Sequence, residues 1–482
     1  MTQLTRRRFF EDSLIAAAVT AAATSSVRDV AAEEEKRPAA NDEIQHAVIG
    51  CRIRGKVHAA EFGRQAGVNV AYVCDPDLQL AEELAEAVKE KSGKRPKVVQ
   101  DLRKIFDDKT VNTVSIAAPN HWHALAAIWA MQSGKDVYVE KPVSHNIAEG
   151  RRMVQAARKT NRICQGGTQN RSSGALKDAA EFLRAGKLGE VKLARTIIYG
   201  GRNSIGAKQP CQIPPKCDFN LWLGPGTQEP LTRKNMHYDW HWVWDTGNGE
   251  LGNNNIHMVD ICRWLLGLQG LGDSALSIGG RLGYEDAGET PNTQMTVHRY
   301  GPQTIIQEVR GLKSSPFSDK FKSGYVIYGT EGFIAEGSLF DPAGKLVRKF
   351  EGKGDNHFAN FIAAVRSGKR SELNAEIEQG HVSTGLCHVA NISHRLGNKA
   401  AVADIESHLK GSAYNNEVRA TFARMVEHMK TNGLNLEQTQ LMLGPDLAID
   451  AANERFIGNP AADELLKREY RKPFVVPTEA QL

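Results

Sequence analysis

Residues 45–55 read Gln45-His46-Ala47-Val48-Ile49-Gly50-Cys51-Arg52-Ile53-Arg54-Gly55. A short apolar run that breaks at a glycine reads as a buried strand entering a tight turn, with a helix after it. Gly50 and Gly55 hold the first and third places of a G-x-G-x-x-G turn, and Arg52 holds the second. In such a turn the first glycine makes the bend, the second lets a diphosphate approach the backbone, and the third lets helix and strand pack closely. Arg52 therefore crowds the phosphate position, or swings out and pairs with phosphate through its side chain. Asp75 closes the next apolar run, 25 residues after Gly50, where a carboxylate accepts ribose hydroxyls. A 2′-phosphate there would meet like charge, so the spacing favours NAD and makes NADP less favoured. The same stretch misses a nucleoside-triphosphate loop, because Val57 follows Lys56 where Ser or Thr should hold magnesium.

Working outward, strands are predicted at 68–75, 111–118 and 136–140, alternating with helices near 78–90, 121–134 and 147–159. Strand–helix alternation at this spacing predicts a parallel sheet with helices on both faces, a dinucleotide-binding Rossmann domain over 45–170. Past Gly174 the pattern changes to consecutive strand candidates broken by Gly and polar turns, which predicts a large open, mainly antiparallel sheet. The fold class is thus α/β, with an α+β C-terminal domain over 171–400. Helices are predicted at 356–367 and 376–395, and a mostly helical extension over 401–482.

The N-terminus carries Thr5-Arg6-Arg7-Arg8-Phe9-Phe10 before a short alanine-rich apolar run. This reads as a twin-arginine signal peptide over 1–32, followed by a polar linker over 33–44, and predicts export to the periplasm or cell envelope. The apolar run is too short for a membrane span. The chain has 482 residues, enough for about two or three domains. Its formal net charge of +5 is spread along the chain, and no basic block demands a nucleic-acid partner. Seven cysteines are present. Cys211 and Cys217 flank a short loop and are close enough in sequence to pair; the other five sit in apolar patterns and read as core.

Glu140-Lys141-Pro142 ends a buried strand. In an open parallel sheet the carboxyl ends of strands face the ligand crevice. A lysine there, beside a positive nicotinamide and partly buried, would have a depressed pKa suited to proton transfer.

Taken with Gly50…Arg54-Gly55-x-x-His58, with Pro119-Asn120-His121-Trp122-His123 and with a later His/Asp motif, this stretch resembles the Gfo/Idh/MocA oxidoreductases over roughly 45–400. That resemblance implies a Rossmann domain, an open C-terminal sheet whose face forms the oligomer interface, and a lysine, Lys141 here, contacting nicotinamide and substrate. It implies cofactor-path roles for Pro119, Asn120, His123, Glu140 and Gln169, the last in the segment Gly167-Thr168-Gln169-Asn170-Arg171.

The stretch 236–264, MHYDWHWVWDTGNGELGNNNIHMVDICRW, packs aromatics, histidines and glycines together. Aromatic faces bind the C–H faces of sugars while Asp and Asn take hydroxyls, which makes Trp240, Trp244, Asp245, Asn253 and Asp260 candidate substrate residues. The family motif D-x-G-x-H-x-x-D appears here as Asn253-x-Asn255-x-His257-x-x-Asp260. Asn253 cannot take a proton, so acid–base work falls to Lys141 and His257. The spacing of His237, His241 and His257 matches no standard metal site. The reading is an exported NAD-dependent oxidoreductase acting on a sugar, polyol or glycoside, its cofactor retained for want of an external pool. The alternatives are a glycoside hydrolase using bound NAD transiently and a non-catalytic sugar-binding protein.

Overall fold

The computed structural model describes residues 42–227, 230–319, 321–411 and 414–482; the signal peptide and most of the linker read from the sequence lie outside them. Strands β1 (Ile44–Ile49), β2 (Val68–Cys74), β3 (Lys97–Val99), β4 (Thr113–Ile116), β5 (Asp136–Val139) and β6 (Cys164–Gly166) form one sheet. Their order is β3-β2-β1-β4-β5-β6 and every pairing is parallel. The order reverses between β1 and β4, so the crevice for a ligand opens at the carboxyl ends of these two strands. The helix Ile53–Gly63 starts there, after β1.

Among the described residues the second sheet has 12 strands. Its central members are β7 (Val191–Tyr199), β8 (Ser274–Gly280), β9 (Thr293–Tyr300), β10 (Gln303–Arg310) and β11 (Gly324–Gly329). Only β7 and β10 pair in parallel. Helices Gly174–Arg184, Ile256–Leu266 and Ile377–Arg395 cover one face, burying Leu176, Val259, Leu265 and Leu386 against Ala194, Ile305 and Ile327. Helices Val402–Gly411 and Asn416–Thr431 cover part of the other, burying Ile405, Phe422 and Met425 against Ile278, Val297 and Ile306. This part of the face expected to meet another copy is therefore occupied within the chain. No helix among the described residues is long and apolar enough to cross a membrane, and all seven cysteines, Cys211 and Cys217 included, are free thiols.

The extension past 400 is not mostly helical. After its two main helices it supplies the strands Gln440–Leu443 and Leu447–Asp450, which both pair with β8. Those two pairings join residues more than 150 positions apart and leave no hairpin signal in the sequence. The last residues then run back over the Rossmann domain. The helix Asn120–Gln132 is mostly apolar and buried at 11 positions, as suits a helix covered on both sides. Its outer cover is the tail: Phe474 is 1% exposed and meets Trp122 and Trp129 at ring distances of 5.4 and 6.4 Å. Phe474→Ala is expected to destabilise the protein by about 3–5 kcal/mol, read as a lowered denaturant midpoint at unchanged slope.

Candidate active site

A cavity of about 260 Å³ lies between the two domains. Gly50, Arg52, Arg54, Asp75, Pro119 and Lys141 line it from the Rossmann side, and Trp222, His237, Tyr238, Trp240, His241 and Asn253 from the other. The glycine turn that shapes one end is sterically fixed. Gly50 has φ of +88°, and a Cβ there would fall 2.6 Å from the Ala117 carbonyl; a Cβ on Gly55 would fall 1.8 Å from the Gly50 oxygen. No side chain caps the helix Ile53–Gly63, so its first N–H groups and positive dipole end are left for an anion. Asp75 is buried at the end of β2 and accepts from the N–H groups of Cys51 at 2.8 Å and Asp77 at 2.9 Å. Burial pushes its carboxyl up to about 6, and its remaining lone pairs suit neutral hydroxyl donors. Turn, open helix end and carboxylate together fit a dinucleotide.

Arg52 does not point to the phosphate position. Its Nη1 donates to the His237 carbonyl at 2.6 Å, and its guanidinium lies 5.9 Å from the Tyr238 ring. Arg54 instead turns inward, donating from Nε and Nη2 to Glu140 Oε1 at 3.0 and 2.6 Å. Glu140 also receives His58 Nε2 at 3.1 Å and Gln169 Nε2 at 3.2 Å. Burial opposes its ionisation, but these bonds and the Arg54 charge hold the carboxyl well below the usual range. Glu140 and Gln169 thus lie outside the cavity lining and act by holding the end of β5. His123 plays a similar part: its ring nitrogens lie 2.6 Å from the Pro142 carbonyl and 2.7 Å from that of Ala118. Asn120 donates to Asn248 Oδ1 at 2.9 Å and so ties the two domains together.

Lys141 reaches across the domain boundary, its Nζ donating to the Asn253 carbonyl at 2.6 Å. That carbonyl belongs to a π turn, Leu251–Asn255, preceding the helix Ile256–Leu266. A widened turn of this kind frees carbonyls from the i→i+4 pattern and recurs at functional sites. Burial lowers the Lys141 pKa, with Glu140 opposing. His257 stands half-buried behind the lining, pushed down to about 4 by burial and by Lys141; it is neutral at neutral pH. Trp240 stacks on His241 at 3.6 Å between ring centres.

Three expected substrate residues lie away from the cavity. Trp244 packs near His394 and Arg395. Asp245 is held by Arg468, whose Nη1 donates to its carbonyl at 2.6 Å and whose Nη2 meets its carboxylate. Asp260 is fully buried, taking Arg171 Nε and Nη2 at 2.9 and 2.8 Å and Ser383 Oγ at 2.6 Å. In each case a partner from a distant part of the chain claims the group. Glu250 was not anticipated: it is buried, paired with Arg202 at 2.9 Å, and meets the side chains of Asn253 and Asn254. An acidic residue three before Asn253 in the same aromatic–glycine block was the available signal.

Residues 44–168 match the family described as oxidoreductase, NAD-binding Rossmann fold, and residues 196–424 match its C-terminal alpha/beta domain. The chain belongs to the Gfo/Idh/MocA oxidoreductase family. Among Gfo/Idh/MocA relatives it is similar to a levoglucosan dehydrogenase of Pseudarthrobacter phenanthrenivorans, 25% identical over 60% of this chain and 72% of that protein. It is 28% identical to a scyllo-inositol 2-dehydrogenase (NAD(+)) of Bacillus subtilis over 68% of this chain and 87% of that one. Its resemblance to a glycosyl hydrolase family 109 protein of Shewanella pealeana, 29% identical, spans only 28% of that protein. Among solved structures, the WlbA dehydrogenase of Bordetella pertussis in complex with NADH and UDP-GlcNAcA superimposes with a TM-score of 0.55, at 17% identity over 74% of this chain and 97% of that one. The Gfo/Idh/MocA fold is thus shared across both domains.

Proposed function

We propose that this protein oxidises a hydroxyl group of a sugar, polyol or glycoside, with NAD held in the interdomain cavity. The observation that carries the reading is Lys141: a half-buried amine with a lowered pKa, in the same cavity as the glycine turn. Bound NAD supplies the hydride acceptor. The chain's own residues do the rest. Lys141, in its neutral form, takes the hydroxyl proton as the carbon gives up its hydride, and the Asn253 carbonyl keeps the amine aimed. His257, neutral above about pH 4, is too weak a base to take that proton from the lysine at neutral pH, against the role expected of it from the sequence. Trp240 offers a flat apolar face to the sugar ring, and Asn253 hydrogen-bonds its hydroxyls. The sugar and inositol dehydrogenases among the relatives support this substrate class. The Arg6–Phe10 run supports action outside the cytoplasm.

A second reading, glycoside cleavage through transient oxidation by bound NAD, draws on the glycosyl hydrolase relatives. A panel holding levoglucosan, scyllo-inositol and aryl glycosides separates the two. NADH formation with a polyol or sugar is expected; aglycone release with no net NADH would favour cleavage. Turnover that persists unchanged in Lys141→Ala would sink both.

A further inference from the structure

The cofactor cleft is bridged at its adenosine end by contacts that no part of the chemistry requires. Asp77 lies two residues beyond the carboxylate at the end of β2. Its Oδ1 caps the helix Leu78–Ser92 through Gln79 N at 3.0 Å, and its Oδ2 meets His237 Nε2 at 3.0 Å. His237 belongs to the C-terminal domain, and its carbonyl accepts from Arg52 Nη1 at 2.6 Å. One residue of the C-terminal domain therefore touches both rims of the cleft: the glycine turn through Arg52 and the ribose turn through Asp77. Beside it, the loop at 216–218 is stitched to the same turn by backbone bonds, Leu78 N to Lys216 O at 3.1 Å and Asp218 N to Pro76 O at 2.9 Å. Gln100 Nε2 joins them, donating to Pro76 O at 2.9 Å and Lys216 O at 3.2 Å.

We propose that Arg52 and His237 form a clasp over the cofactor cleft that gates both the admission and the release of the dinucleotide. This rests on the NAD site described above and changes the role of Arg52: the residue that replaces the second glycine closes the site and does not hold the phosphate. The stitched 216–218 loop supplies a fixed hinge side, while His237 and Arg52 supply the side that must part. Arg52 and His237 are themselves partly exposed, so the bonds their side chains make to the His237 carbonyl and to Asp77 can break without moving an apolar core. A gate has a kinetic signature that a direct ligand contact lacks. Loosening a gate speeds passage in both directions and leaves the equilibrium nearly alone, whereas removing a contact to the nucleotide speeds release only.

The test measures both rates on the full chain. NADH-loaded protein is chased with excess NAD⁺ to give the off-rate from fluorescence, and protein stripped of nucleotide is mixed with NADH to give the on-rate. Wild type, Arg52→Ala, His237→Ala and the double variant are compared. The double variant is expected to raise both rates about tenfold, the size set by one or two net hydrogen bonds, with Kd moving less than about threefold. His237→Gln, which keeps a donor toward Asp77, should return the rates toward wild type and covers the case of a misfolded alanine variant. An off-rate that rises alone, with Kd rising in step, overturns the clasp and makes these residues direct nucleotide contacts. Unchanged rates overturn it as well. Wild-type protein that takes up no NADH overturns the cofactor site itself, a failure distinct from the other two.

Discussion

Lys141→Ala is expected to lower kcat for hydroxyl oxidation by about 10²- to 10⁴-fold, the range that a positioned acid–base group supplies. NADH should still bind, because the glycine turn, the open helix end and Asp75 are all kept in the variant. The pH profile gives the sharper readout. Oxidation requires the neutral amine, so kcat/KM should rise with pH and level off above the lysine's pKa. Burial lowers that pKa from the ordinary lysine value, so the plateau should begin below the range of a free lysine. In Lys141→Ala the rising limb should vanish from whatever activity remains. A limb that survives in the variant would assign proton transfer to another group.

Asp260→Ala should destabilise the C-terminal domain by about 3–5 kcal/mol, because it strands a buried guanidinium. Asp260 and Arg171 are 0% and 4% exposed at their side chains and bonded through two parallel N–H···O contacts. Burial opposes ionisation of Asp260, yet the Arg171 charge holds its carboxyl below the usual aspartate range. A depressed folded pKa means that this stabilisation is present above the unfolded aspartate value and is lost as the pH falls through the folded one. Wild type and variant should therefore converge in denaturant midpoint in strong acid and diverge near neutrality. Equal midpoints at neutral pH would show that the pair contributes nothing net. The effect should also reach the site, since Arg171 lies two residues from Gln169, which holds Glu140.

The parallel sheet was legible in the sequence because each of its main strands is a short apolar run and because glycine marks the turn at 50. β3 was not: it is three residues long, begins with an exposed lysine and sits at the sheet edge. The antiparallel strands over 191–338 were legible for the same reason as the parallel ones, through apolar runs ended by Gly. The site was legible where it depends on local spacing, as at Gly50, Asp75 and Lys141, which the structure brings to one cavity. It was not legible where a group's partner lies far along the chain. Nothing near Asp245 announces Arg468, 223 residues later, and nothing near Asp77 announces His237, 160 residues on. Asp260 illustrates a related point. The motif spacing set it three residues after His257, but spacing cannot tell a carboxylate that meets solvent from one already claimed by a buried arginine.

The return of the tail over the helix Asn120–Gln132 bears on how the chain is made. The Rossmann strands are made first, yet the groove between Trp122 and Trp129 receives Phe474, which is synthesised more than 300 residues later. Until then the nascent N-terminal half presents an uncovered aromatic surface, the kind of feature that holding chaperones bind. Seating of Phe474 would thus be the step that removes this surface from such helpers.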